Sequence, residues 1–121
     1  MRSFLLSLLA APLALAKTVE QTWDVSWINA APDGFERPVI AINGMWPCPE
    51  LRASVGDRVI VHVNNNLGNQ STGIHWHGIH QKGSPHMDGG SQVHQCPIAP
   101  GSSFTYDWIV SRTMSVNEDA C

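Results

Sequence analysis

No apolar run in this chain is long enough to cross a bilayer, positive charge is scarce, and only 3 of its 121 residues are cysteine. The longest apolar stretch lies inside "MRSFLLSLLAAPLALA", residues 1–16, where Pro12 interrupts it and Lys17 stops it. A spanning helix needs about 20 such residues, so a transmembrane anchor is not expected. Lys and Arg number 7 against 10 Asp and Glu, a net charge of −3, and no basic stripe gathers anywhere. That excludes nucleic acid and anionic membrane as partners, because both are recognised through clustered cations. No ten-residue segment carries a helical hydrophobic period, which removes helix bundles from the choices.

The leading residues carry a different signal. Arg2 is a short basic region, an apolar stretch follows, and Ala14 and Ala16 bracket Leu15. This pattern predicts a secretory leader over residues 1–16, cleaved after Ala16, and hence an extracellular location. The odd cysteine count then means that at least one of Cys48, Cys96 and Cys121 is free, blocked or paired outside this chain. Asn69, in the triplet Asn69-Gln70-Ser71, is a glycosylation candidate in a polar loop. The length fits one globular domain, over residues 17–110, with no room for a second.

That domain reads as all-β. "TVEQTWDVSW" alternates, with Val19, Trp23, Val25 and Trp27 on one parity, which predicts a half-buried strand. A second strand is expected in "RPVIAIN", after which Pro47 and Pro49 exclude a helix. Further strands are expected in "RVIVHVNNN", with Val59, Val61 and Val63 on one face; in "TGIHWHGIH", residues 72–80; and in "FTYDWIV", with Phe104, Tyr106, Trp108 and Val110 aligned. Short strands between Gly, Pro and Asn turns point to a β-sandwich or barrel. Residues 111–121 break the alternation and form a divergent tail, expected to fray.

Four of the 6 histidines fall in "GIHWHGIHQKGSPHMDGG". On a strand, residues two apart share a face, about 6.6 Å from one another. His75 and His77 therefore project side by side while Ile74 and Trp76 face the core. The pair reads either as metal donors, imidazole suiting copper, zinc, iron and nickel, or as two exposed histidines. Gly78 leaves room for a close approach. His62 is expected to be solvated, His80 has the opposite parity, and His86 and His94 lie in irregular chain as surface residues. Asp88 reads either as a turn residue before Gly89 and Gly90 or as a carboxylate near a metal that handles protons. A blue-copper centre needs two His, one Cys and an axial Met, and no histidine follows Cys96.

Taken together, "RPVIAINGMWPCPEL", "VGDRVIVHVNN" and "IHWHGIHQKGSPHMDGGSQVHQCPIAPGSSFTYDW" resemble the first cupredoxin (plastocyanin-like) domain of a multicopper oxidase, most similar to fungal laccase-like and iron-oxidising members. The resemblance implies a cupredoxin-like Greek-key β-sandwich, incomplete at its C-terminal end, and copper as cofactor. It assigns His75 to a type 2 copper and His77 to a type 3 copper of a trinuclear cluster that reduces dioxygen to water. It gives Asp88 a proton-delivering role and matches Cys96 to a position that forms a disulfide to the third domain; pairing with Cys48 or Cys121 is the alternative within this chain.

The resemblance also implies partners: two further cupredoxin domains, dioxygen, and a reducing substrate such as a phenol or ferrous iron. Where the family carries a second H-x-H, this sequence reads "SRTMSVNEDAC". The expectation is therefore a fragment of a secreted oxidase, inactive alone, in which Phe104, Tyr106 and Trp108 are incompletely covered. A small secreted copper-binding protein and a metal-free β-sandwich interaction domain are the alternatives.

Overall fold

The computed structural model describes residues 15–111. Most of the leader pattern, the tail from residue 112 and Cys121 lie outside the described residues. Within them, four strands form one sheet in the order β2-β1-β3-β4. β1 is Thr18–Ala30, β2 is Arg37–Ile42, β3 is Arg58–Asn65 and β4 is Ser103–Ile109. The one helical turn is a 3-10 turn at Pro85–Met87. The expected all-β class is what the chain adopts.

The alternation read from the sequence places the core. β1 pairs antiparallel with β2 and parallel with β3, and β3 pairs antiparallel with β4. A parallel pair needs a long crossover, and β2 with its following loop supplies it. Across β1, β3 and β4 the even-period apolar residues face one side: Trp23, Val25, Val59, Val61, Val63, Tyr106, Trp108 and Val110 are all buried. The opposite side carries polar pairs, including Arg58 on Asp107 and His62 between Glu20 and Thr105. β1 runs three residues beyond the alternating stretch, and at the end of that stretch Trp27, opposite Ile40 of β2, is left 42% exposed.

Two expectations need correction. Residues 72–80 do not form a strand. Only Thr72 makes a bridge, with Ile98, through two main-chain hydrogen bonds of 3.0 and 2.7 Å. Beyond it the backbone donors go to partners that no ladder offers: Ile74 N–H to the Tyr106 hydroxyl at 3.0 Å, and Trp76 N–H to the Asp88 carbonyl at 3.4 Å. The segment then turns at Gly78 (φ +77°), where Ile79 N–H bonds back to Trp76. Gly78 thus serves the turn, a positive φ that a side chain disfavours.

The second correction concerns coverage. Tyr106 and Trp108 are buried, because Trp76 from the histidine segment lies on the sheet against both, at ring-centre distances of 5.4 and 4.3 Å, and against Trp23 at 5.5 Å. Aromatic contacts of this kind add about 0.5–1.5 kcal/mol each beyond the area they bury. Phe104 is half-buried at the edge of this cluster. Trp76 is therefore the anchor that presses an irregular segment onto the sheet and fixes the direction of its neighbours.

Candidate metal centre

With Trp76 turned inward, its neighbours must turn outward. His75 and His77 are both exposed, with ring centres 6.0 Å apart. The side-by-side projection expected of a strand survives without the strand, because i and i+2 alternation needs only extended backbone. Both rings line an open cavity of about 470 Å³ whose other wall is apolar, formed by Val25, Ile42, Met45 and Trp46.

The geometry of His75 is specific. Its Nδ1 lies 2.8 Å from the Asp88 carbonyl oxygen. A carbonyl can only accept, so Nδ1 carries a hydrogen, and in the neutral ring the lone pair is then on Nε2. This is the arrangement by which histidine ligands are commonly oriented toward a metal, with one ring nitrogen held by a main-chain or carboxylate oxygen.

Asp88 caps the turn at Pro85–Met87, and its N–H bonds to the Pro85 carbonyl. Its carboxylate Oδ2 stands 3.5 Å from His75 Nδ1 and 3.2 Å from His94 Nδ1. Both readings of Asp88 thus have a structural counterpart: it is a turn residue, and its carboxylate faces imidazoles. Gly89 allows this. A side chain there would put its Cβ 1.6 Å from the Ile74 carbonyl oxygen, and the residue has φ +81°.

The remaining residues separate. His62 sits on the outer face, bonded to Thr105 and Glu20. His80 is exposed past the turn, and His86 is exposed in the 3-10 turn. His94 is exposed, as read from sequence, and also stands beside the Asp88 carboxylate, a contact the sequence did not signal because the loop joining them has no period. Cys48 is disulfide-bonded and Cys96 is an exposed free thiol, so neither intrachain pairing considered for Cys96 occurs. Asn69 is exposed in the loop after β3. No helix among the described residues is long and apolar enough to cross a membrane.

The profile of the multicopper oxidase family matches residues 24–116. The chain belongs to the multicopper oxidase family. It is 54% identical over 106 residues to the iron transport multicopper oxidase of Gibberella zeae, a match covering 86% of this chain and 17% of that protein. It is 51% identical over 95 residues to laccase-1 of Cryptococcus neoformans, covering 78% of this chain and 15% of that protein. Among solved structures, the laccase of Botrytis aclada superposes with a TM-score of 0.75 at 45% identity, over 78% of this chain and 18% of that one. The fold is the cupredoxin-like β-sandwich domain of these oxidases, and the family's cofactor is copper. The chain spans less than a fifth of the length of these relatives.

The donor set fits copper in part. Two imidazoles on one face, one of them with its Nε2 freed by a main-chain bond, suit a borderline metal. Among the described residues no group of three or more His, Cys, Asp or Glu side chains is placed to hold an ion. An ion held by this pair would therefore require further donors.

Proposed function

We propose that residues 17–110 are the first cupredoxin domain of a secreted multicopper oxidase, with His75 a ligand of its type 2 copper and His77 a ligand of one type 3 copper. The observation that carries this reading is the His75–Asp88 bond, which leaves Nε2 available beside His77 in one cavity. Copper in such a site supplies one-electron redox chemistry and the reduction of dioxygen to water. What this chain does is hold the His75 ring, keep its Nδ1 protonated, and place the Asp88 carboxylate where it can pass a proton toward the cavity.

An apolar flank beside the histidines supports a domain junction there. Met45 and Trp46 are about half exposed, as are Trp27 and Ile40, and a contiguous apolar surface of this kind is a hallmark of an interface. Two further cupredoxin domains would cover it and bring the missing donors, the blue-copper centre and the site for a phenol or ferrous iron. Export is supported by the leader pattern and by the disulfide at Cys48, a bond of oxidising compartments.

The test is a fused enzyme in which residues 17–110 replace the corresponding part of the Gibberella zeae relative. Dioxygen uptake with a reducing substrate is expected, and His75→Ala or His77→Ala should abolish it and lower the copper count per chain. Full copper and uptake in both variants would refute the assignment.

A further inference from the structure

A buried carboxylate far from the histidines has no part in the chemistry above. Asp57, in the turn before β3, is only 3% exposed. Its Oδ1 accepts the main-chain N–H of Lys17 at 2.9 Å and its Oδ2 that of Ser54 at 2.8 Å. Its own main chain ties the turn to the end of β4, since Val110 N–H donates to the Asp57 carbonyl at 2.9 Å. Lys17 is gripped from both sides, because Arg58 N–H donates to the Lys17 carbonyl at 2.9 Å. By contrast, Leu15 is 87% exposed and Ala16 is exposed. Lys17, the residue that follows the bond at which the leader pattern ends, is thus held by main-chain hydrogen bonds on both its nitrogen and its carbonyl.

We propose that Asp57 is the receptor for the mature N-terminus: cleavage after Ala16 leaves the Lys17 nitrogen as an α-ammonium that forms a partly buried ion pair with the Asp57 carboxylate. The proposal rests on the secretory-leader reading. A signal-peptidase-type hydrolase breaks the Ala16–Lys17 C–N bond. Water gives its hydroxyl to the Ala16 acyl carbon and a hydrogen to the Lys17 nitrogen, which then takes up one proton. The nitrogen need not move, since it already stands 2.9 Å from Oδ1 with a single N–H. As an ammonium it has three N–H donors and a full charge, and charge-assisted bonds are roughly twice as strong as neutral ones.

Among the described residues the one other charge that acts on Asp57 is the side chain of Lys17 itself, and it, too, favours the carboxylate. From the segment before β1 comes only Lys17, whose side chain is exposed; in the loop before β3, Arg52 is bonded to Glu50; from β3, Arg58 is committed to Asp107 of β4; and the end of β4 presents the Val110 backbone. The consequence is that maturation fastens the start of β1 to β3, through the register Thr18 opposite Arg58. β1 carries Val25 into the cavity wall, so the lock bears on the scaffold of the metal centre.

The full chain is secreted from a fungal host and its N-terminus is sequenced; Lys17 is expected. Another first residue would overturn the cleavage reading, and the ion pair is then judged on chains whose first residue is set by a protease. Three are compared: one starting at Lys17, one starting at Ala16, and one starting at Lys17 with Asp57→Asn. Acylation of the α-amine by an activated ester, read by peptide mass, is expected to be slower in the first, because an amine held protonated by a carboxylate is a poorer nucleophile.

An ammonium stabilised by a carboxylate has its pKa raised above the usual value of about 8. Its contribution is complete below that value and is lost as pH rises through the folded one. The melting temperature of the Lys17 chain is therefore expected to fall in mild alkali, relative to the Ala16 chain. Equal acylation rates and parallel melting profiles would overturn the ion pair. The Ala16 chain keeps Asp57 intact, so the comparison stands even where Asp57→Asn fails to fold.

Discussion

His75 Nδ1 donates to the main-chain carbonyl of Asp88 at 2.8 Å, and that one bond decides which ring nitrogen is left for a metal. It joins two segments that are 13 residues apart and share no strand ladder. The carbonyl reaches the ring because the loop backbone at Gly89 lies directly on Ile74 and His75.

Gly89→Ala should therefore be among the most damaging single-methyl additions in this chain. The new Cβ would sit 1.6 Å from the Ile74 carbonyl oxygen at a residue with φ +81°. Loop and histidine segment must part, at a cost of at least about 3 kcal/mol, in the range of strained or overpacked sites. Urea unfolding of purified protein checks this; a midpoint unchanged from wild type would show that the loop yields.

Tyr106→Phe tests the second support of the histidine segment. The Tyr106 hydroxyl accepts Ile74 N–H at 3.0 Å and the Gln95 side-chain amide at 3.1 Å. Phenylalanine fills the same buried space but leaves the Ile74 N–H unpaired and the Gln95 amide with its 3.4 Å bond to the Cys96 carbonyl, a loss of about 1–3 kcal/mol. Hydrogen exchange at the Ile74 amide should quicken far more than exchange within β3. Uniform acceleration across the sheet would mean that the hydroxyl matters only to global stability.

Acid should weaken the fold through Asp57. The Lys17 and Ser54 N–H groups that bond its carboxylate hold it below its ordinary value of 3.8, against the opposing effect of burial. With the folded pKa depressed, the stabilisation is present above about pH 4 and is lost as pH falls through the lower folded value. Asp57→Asn should be less stable than wild type near neutrality, and the two should converge as pH falls through the lowered folded value. Denaturation midpoints across this range check it, and curves that stay parallel would remove Asp57 as the cause.

Much of this architecture was legible in the sequence, and the reason is periodicity. The alternation through β1, β3 and β4 placed Trp23, Val61 and Tyr106 on one buried face, and the same parity rule picked out His75, His77 and Trp76. Contacts made by loops were not legible. His94 reaches Asp88 only because the chain doubles back after Gly90, where its N–H bonds the Gly90 carbonyl. Asn65 lies within the polar run Asn64-Asn65-Asn66, and nothing in that run marks it for burial. Yet it is fully buried, donating to the Gln70 and Ile98 carbonyls and accepting Leu67 N–H. The strand expected over residues 72–80 failed because alternation reports extended backbone, whereas a strand also needs a neighbour with free donors and acceptors.

The direct test of the central claim is a crystal structure of the fused oxidase with anomalous differences recorded at the copper edge. Copper peaks about 2.0 Å from His75 Nε2 and from a ring nitrogen of His77 are expected, with the His75 Nδ1 bond to Asp88 intact. A copper bound through His75 Nδ1, or a cluster that leaves both rings unligated, would contradict the account.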